Sequence, residues 1–301
     1  MIEKRKFLAS PRLILAVLMC LSIAASAALA DTEKAAEHFN AALRAEQGGD
    51  IPGAIASYEA CIGEDDGYVD AYINLGAIHF REKDYEKALS LYKTATEKDS
   101  QNADAFANLG RVQYRLKRYA EAEASFKKAA DIKTDDPEIS AELGKVYYRK
   151  KDYGEAVTAF SKCHQLGGGD HLTYYMLGRS FDKQGNRSEA ITSLKKSVEL
   201  KSDYYHSHSS LGQIYLDQGK YQSAANAFRS AMKADSKQYR AAYNYAVAVE
   251  NNNPEDYDTN IANWENFIRI ARKNPKAQRD VAVAQDHVKD LKEAKEKSAL
   301  Q

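Results

Sequence analysis

The chain has 301 residues, of which 44% are apolar and 29% are charged, so it is long enough and apolar enough to bury a substantial core. Its 43 Lys and Arg residues balance its 43 Asp and Glu residues, and the formal net charge is zero. Bulk charge therefore gives no reason to expect a nucleic-acid partner or a membrane-surface partner, and charge has to be considered locally.

The first 30 residues have the order of a secretory signal peptide. Basic residues between positions 4 and 12 precede an apolar run from Leu13 to about Ala25, and Ala28 and Ala30 form a small-x-small cleavage site before Asp31. We therefore predict a signal peptide at residues 1–30 and export of the mature chain, into the periplasm if the source is bacterial. An uncleaved N-terminal anchor facing the periplasm is one alternative. Lipid attachment at Cys20 is the other.

A 34-residue repeat occupies most of the chain. Each of five Leu-Gly pairs is followed twelve residues later by an alanine, and four residues after that by a large apolar residue. Because glycine inside a helix costs about 1 kcal/mol relative to alanine, its recurrence predicts that another helix passes too close for any side chain. The glycines are Gly76, Gly110, Gly144, Gly178 and Gly212, and the large residues are Tyr92, Phe126, Phe160, Leu194 and Phe228.

The pattern resembles the tetratricopeptide repeat (TPR), a helix-turn-helix unit of 34 residues. With the glycine at position 8, repeats begin near residues 35, 69, 103, 137, 171, 205 and 239. The first and last are imperfect, as terminal repeats are expected to be. The resemblance implies an all-α, right-handed superhelical solenoid of about seven units over residues 31–275. The second helix of the last repeat is expected to run from Ile261 to Ala271.

Two local features of the array allow more than one interpretation. Gly167, Gly168 and Gly169 replace the usual turn between the fourth and fifth repeats, and they indicate either a loose turn or a hinge. Cys61 and Cys163 both occupy position 27 of their repeats, three repeats apart. With helices ~10 Å across they should lie too far apart for a disulfide, so we expect two small core residues.

Residues 276–301 are predicted to form a polar capping helix that closes the end of the solenoid. Their apolar residues recur at spacings of four and three, which gives a narrow stripe on one side of a helix. A short dimerisation seam is the alternative use of this stripe, so we expect a monomer or a weak dimer. The stripe consists of Ala277, Val281, Ala284, Val288 and Leu291.

The first helix of each repeat should leave one side free. At 100° per residue, positions 4, 7, 8 and 11 form the packed side, and positions 2, 6, 9 and 13 lie opposite. In the family this pattern resembles, the free side lines a concave groove that binds extended peptides. The predicted groove residues are Asn40, Asn74 and Asn108 at position 6, with Asn244 in the last repeat; Arg111, Lys145 and Arg179 at position 9; and Arg81, Arg115, Arg149 and Lys183 at position 13.

These residue types suit a peptide ligand. An asparagine amide offers a donor and an acceptor together, which matches a peptide backbone, although asparagine before Leu-Gly can also be a plain feature of the repeat. The cations would favour an acidic peptide or a C-terminal carboxylate. The alternative for the cations is a solvated charged face with pairing between repeats.

The sequence contains no recognisable catalytic, cofactor-binding or metal-binding motif. The histidines are scattered, and His206 and His208 would point to different sides of a helix. Phosphate-binding loops, nucleophile elbows and paired-cysteine motifs are absent. We therefore predict no enzymatic activity, no cofactor, no metal, no nucleic-acid partner and no membrane insertion of the mature chain.

The predicted function is that of a non-enzymatic scaffold or adaptor of the cell envelope, which binds an extended, acidic segment of a protein or peptide partner in its groove. Two alternatives stay open. The chain could be an accessory subunit of an envelope transport or assembly machine, docked through its convex face or its C-terminal helix. It could also bind a small ligand or glycan, which would require a closed, aromatic-lined cavity.

Overall fold

The computed structural model describes residues 31–300, and the signal-peptide prediction for residues 1–30 lies outside them. Within the described range the chain is all-α, as predicted, and no residue is in a strand. The helices are α1 (31–47), α2 (Ile51–Glu64), α3 (Val69–Arg81), α4 (Tyr85–Lys98), α5 (Ala103–Arg115), α6 (Tyr119–Ile132), α7 (Pro137–Lys150), α8 (Tyr153–Gln165), α9 (His171–Lys183), α10 (Arg187–Leu200), α11 (Tyr205–Asp217), α12 (Tyr221–Ala234), α13 (Tyr239–Asn252), α14 (Tyr257–Ala271) and α15 (Gln278–Ser298), with a 3₁₀ turn at Pro275–Ala277.

These helices form two compact units, one up to Thr134 and the other from Asp135. In each unit, helices that are neighbours along the chain pack against each other, and a short turn joins the two helices of a repeat. No helix in residues 31–300 is both long enough and apolar enough to cross a membrane.

The repeated glycine marks a close helix crossing in every repeat that contains it, as predicted. A Cβ atom added to Gly110 would lie 2.9 Å from the ring of Phe126, and one added to Gly212 would lie 2.7 Å from the ring of Phe228. Both rings are fully buried. The helices therefore approach each other more closely than a side chain at position 8 would allow.

The turns inside the repeats carry a second regularity. Position 15 has a positive φ in six repeats, with values between 63° and 83°. Glycine adopts this left-handed conformation without strain, and it occupies the position in three of the six. Lysine occupies it in the other three, which are Lys83, Lys117 and Lys151. A lysine in this region costs roughly 1 kcal/mol, so these turns are held by the packing of the two helices they join.

The three consecutive glycines form a hydrogen-bonded turn. The N–H groups of Gly167 and Gly168 donate to carbonyl oxygens of α8, and Asp170 then caps α9 by accepting from the N–H of Thr173 at 2.9 Å. A Cβ on Gly168 would lie 2.3 Å from Cβ of Pro137. Close packing therefore accounts for a glycine here.

Cys61 and Cys163 are unbridged and buried, as expected of small core residues. Burial raises the pKa of the Cys61 thiol to about 11 and also raises the pKa of Cys163. Both thiols are therefore poor nucleophiles at neutral pH.

The C-terminal helix covers the end of the second unit. The predicted stripe is buried, with Val281, Ala284, Val288 and Leu291 each at most 7% exposed, in one cluster with Trp264 and Phe267. The stripe is thus covered by the chain itself and is not available as a dimerisation seam. The preceding helix, α14, begins at Tyr257, four residues before the predicted Ile261, because the Asp256 side chain accepts from the N–H of Thr259 and caps the helix there.

Candidate functional site

The free side of the first helices forms a cleft of about 520 Å³ in the second unit. It is lined by α9, α11 and α13, the first helices of the last three repeats. Residues at positions 2, 6, 9 and 13 dominate its lining: Arg179 and Lys183 from α9; His206, Ser210, Gln213 and Asp217 from α11; and Arg240 and Asn244 from α13. These are the positions that helix geometry leaves free of packing. We call this surface the polar cleft.

Hydrogen bonds between side chains order the middle of the polar cleft. The Gln213 amide donates to the Asp217 carboxylate at 2.7 Å, and the Asn244 amide donates to Oε1 of Gln213 at 3.5 Å. The residues therefore link α11 to α13. Ser209 and Ser210 are small, and their size leaves the space above α11 that the cleft occupies.

Cations outnumber acids in the polar cleft. Lys183 and Arg240 are exposed at its sides, and Arg179 is half-buried. Of the two acids, Asp182 is half-buried and Asp217 already accepts from Gln213. The net charge of the lining is positive, and its exposed charged residues are the cations Lys183 and Arg240 and the acid Asp217.

Arg179 differs from the other two cations because it lies against tyrosine side chains. One of its terminal nitrogens, Nη1, donates to the Tyr175 hydroxyl at 3.3 Å, while its buried Nε atom has no hydrogen-bond partner among the described residues. Burial alone would lower the pKa of Arg179, but the hydroxyls of Tyr175 and Tyr148 act in the opposite direction and raise it overall. Arg179 is therefore a permanent cation with part of its hydrogen-bonding capacity unused.

The structure places all but one of the predicted groove residues of the first unit in contacts within the chain. Asn74 shares a hydrogen bond with the Tyr58 hydroxyl, and Arg81 pairs with Glu46. The Arg111 guanidinium donates to Oδ1 of Asn108 at 2.8 Å. Arg115 lies over the rings of Phe80 and Tyr85, at 6.0 and 5.8 Å from their centroids, and Asn40 is exposed.

In the second unit, three of the predicted residues line the polar cleft and two do not. Arg179, Lys183 and Asn244 are part of its lining. Lys145 pairs instead with Glu142 on its own helix at 2.9 Å, and it borders a separate small cleft near Gly168, while Arg149 is exposed. The polar cleft therefore lies at the predicted helix positions, whereas Lys145 and Arg149 of the predicted cationic stretch lie outside it.

The prediction missed His206, Ser210, Gln213 and Arg240. All four occupy positions 2, 6 or 9, so position alone could have identified them. None of the four is an asparagine, and none belongs to the run of cations at positions 9 and 13. Among residues 31–300, no group of three or more His, Cys, Asp or Glu side chains is arranged to hold a metal ion.

Comparison with known protein families identifies the repeat type. Residues 8–248 match the family model described as cilia and flagella-associated protein 70 C-terminal domain, a TPR model. No curated protein sequence matches the chain.

Solved structures of TPR proteins share the fold. The C-terminal part of a TPR protein from Cytophaga hutchinsonii has a TM-score of 0.66 and 18% identity, over 79% of this chain and 97% of that one. YrrB, described as a TPR protein with an unusual peptide-binding site, has a TM-score of 0.56 and 22% identity, over 66% and 97%. MamA from Desulfovibrio magneticus has a TM-score of 0.54 and 22% identity, over 56% and 96%. At these identities the likeness establishes the fold.

Proposed function

The chain belongs to the TPR family represented by the cilia and flagella-associated protein 70 C-terminal domain, and from this we propose that it is a non-enzymatic scaffold that binds an extended peptide segment in the polar cleft. TPR arrays have a protein-interaction fold, in which stacked repeats form a continuous binding surface. The proposal assigns that role to the last three repeats. It is supported by the peptide-binding site described for YrrB, which has the same fold.

One observation carries the proposal: the first helices of three successive repeats place their free positions around one cleft that is rich in donors and acceptors. Its volume of about 520 Å³ lies within the range of ligand sites. Serine, glutamine and asparagine side chains can each bond to the N–H and C=O groups of an extended backbone. A ligand of this kind gains affinity from repeated main-chain contacts along the cleft.

We further propose that the bound segment is acidic. Lys183 and Arg240 are exposed at the sides of the cleft, and they outnumber the one exposed acid, Asp217, which accepts a hydrogen bond from Gln213. A carboxylate of the ligand would find cations that are accessible to it, and charge-assisted bonds of this type are the stronger ones. The scaffold role also fits the lining of the cleft, which contains no cysteine.

The proposed location is the cell envelope, on the far side of the cytoplasmic membrane. The support for this is the order of basic, apolar and small residues in the first 30 positions. If residues 1–30 are a cleaved signal peptide, exported protein should begin at Asp31, which N-terminal sequencing or intact mass would show. Lipid on an N-terminal Cys20, or an intact residue 1–30 segment in the membrane fraction, would contradict cleavage at Ala30.

Charge reversal in the polar cleft tests the binding function. We expect the double variant Lys183→Glu and Arg240→Glu to reduce capture of the partner from an envelope extract by tenfold or more, because it replaces attraction with repulsion at both accessible cations. Binding by the unaltered protein should weaken as salt is raised, since salt screens exposed charges. Arg179 is not substituted, because it lies partly buried against tyrosines. A glutamate at this position would disturb the packing, so any loss of binding could come from misfolding.

The matched control reverses two exposed lysines outside the cleft, Lys128→Glu and Lys233→Glu, on the second helices of two repeats. It has the same change in net charge, and we expect it to retain capture. Circular dichroism should show the same helicity for both variants, because exposed substitutions usually change stability by less than about 0.5 kcal/mol. Equal capture by the cleft variant and the unaltered protein would refute an acidic ligand in this cleft.

A further inference from the structure

A second, smaller cleft lies at the C-terminal end of the second unit. It has a volume of about 290 Å³ and lies between α13, α14 and α15. Tyr243, Val247 and Val283 contribute apolar walls, and Trp264 lines it from α14. Its volume is at the lower limit for ligand sites, so it has room for a single side chain. We call it the apolar cleft.

Three polar side chains around the apolar cleft, those of Glu250, Trp264 and His287, are bonded to one another. The Trp264 indole N–H donates to the Glu250 carboxylate at 2.6 Å, and Nε2 of His287 lies 2.9 and 3.0 Å from its two oxygens. The Trp264 ring also meets the rings of Tyr243 and His287 edge to face, each at 5.2 Å between centroids. Through these bonds Glu250 of α13 connects α14 and α15. The surface that remains for a ligand is mainly apolar, and its shape is fixed by these contacts.

Part of that apolar surface faces water. Val283 is 58% exposed, one of four large hydrophobic side chains that are exposed among the described residues. It is the only one of the four in the lining of this cleft. An apolar side chain placed in the cleft would cover Val283, and burial of apolar surface of this kind favours binding.

The helix α13 lines both clefts, which fixes their spacing. Arg240 and Asn244 line the polar cleft, and Tyr243 and Val247 line the apolar cleft. Val247 follows Arg240 by seven positions, which is ~10 Å along a helix axis. An extended peptide advances ~3.3 Å per residue, so ~three residues of ligand would span this distance.

We propose that the apolar cleft is a side-chain subsite for the same peptide, and that it takes one aromatic or large aliphatic residue about three positions from an acidic residue bound near Arg240 and Lys183. The proposal rests on the peptide-binding function proposed above. It deepens that function, because it gives the ligand a pattern of one acidic and one apolar anchor. The cations of the polar cleft argue for the acidic anchor, and the size and chemistry of the apolar cleft argue for the other.

The test uses peptides selected from a displayed library of random 12-residue sequences, with the full-length protein as bait. Selected peptides should share an acidic residue and an apolar residue about three positions apart. Val283→Asp should weaken their binding about tenfold or more, since it places a charge where an apolar side chain would be buried. Leu200→Asp is the matched control, because Leu200 is 52% exposed and lines neither cleft, and it should leave binding unchanged.

Trp264 provides an independent readout because it is the single tryptophan of the chain. Its fluorescence should change when a selected peptide binds, and a version of that peptide with glycine at the apolar anchor should produce no change. Because Val283 is exposed, Val283→Asp should keep its helicity, which circular dichroism would verify.

The outcomes separate this inference from the function on which it rests. If binding is lost in the variant Lys183→Glu and Arg240→Glu but survives Val283→Asp with no change in Trp264 fluorescence, the apolar subsite is refuted and the polar cleft stands. If the selected peptides bind both variants as well as the unaltered protein, neither cleft is the site. If no peptide is enriched, both proposals are refuted.

Discussion

Replacing Gly144 by valine is expected to destabilise the second unit by roughly 1–3 kcal/mol or more, because it overpacks a close helix crossing. A Cβ atom at this position would lie 2.7 Å from two ring carbons of Phe160. Phe160 is fully buried and packs with Ala156, Tyr147 and Leu177, so its ring has no free space to move into. The new side chain can be accommodated only if α7 and α8 separate.

Urea denaturation followed by circular dichroism would measure this loss. The control is Gly154→Val in α8, since Gly154 is exposed and a Cβ there would meet only the Gln184 side chain, at 3.4 Å. The control adds the same valine to a helix without a buried contact, so its midpoint should stay close to that of the unaltered protein. Equal midpoints for Gly144→Val and Gly154→Val would show that the crossing is not close.

Removing residues 276–301 is expected to expose the end of the second unit and to destabilise it by at least about 2 kcal/mol. The deletion takes away Val281, Val288 and Leu291, which are at most 7% exposed, together with the cover they provide for the cluster around Trp264. Trp264 would then meet water, so its fluorescence emission should shift to longer wavelength. The newly exposed apolar end should also promote self-association, which sedimentation would detect.

The control for this deletion keeps α15 and removes only its outer ion pairs. Lys292 pairs with Glu265 at 2.8 Å, and Lys295 pairs with Asp258. The double variant Lys292→Ala and Lys295→Ala should change stability by less than about 1 kcal/mol, because exposed ion pairs contribute little. If the truncated protein unfolds at the same urea concentration as the unaltered one and keeps its tryptophan emission, α15 does not cap the unit.

The fold follows closely from the sequence because every repeat from the second to the sixth needs a glycine where its two helices cross. Each Leu-Gly pair fixes where two helices cross, and the helix of which it is part begins seven residues before the glycine, as at Val69, Ala103 and Pro137. The left-handed turns at Lys83, Lys117 and Lys151 could not be anticipated in this way. Lysine carries no signal for that conformation, which the packing of the two helices imposes.

The candidate site was less accessible to sequence analysis, for two physical reasons. Arg111 and Lys145 bond to Asn108 and Glu142, each three residues away on the same helix, and this local pairing competes with their proposed role toward a ligand. The cleft itself exists because Ser210 is small and leaves space above α11. A small side chain carries neither the charge nor the amide group by which groove residues were predicted.

The central claim, that a partner binds in the polar cleft, is tested most directly by photocrosslinking from within it. A photoreactive residue at Ser210 lies inside the cleft, whereas one at Thr192 is exposed on α10 and outside the cleft. We predict that a partner from envelope extract is crosslinked through position 210 and not through position 192, and that acidic peptide competitors suppress the product. Crosslinking through position 192, or through Gln285 on the exposed side of α15, with none through position 210, would contradict the claim and indicate docking outside the groove.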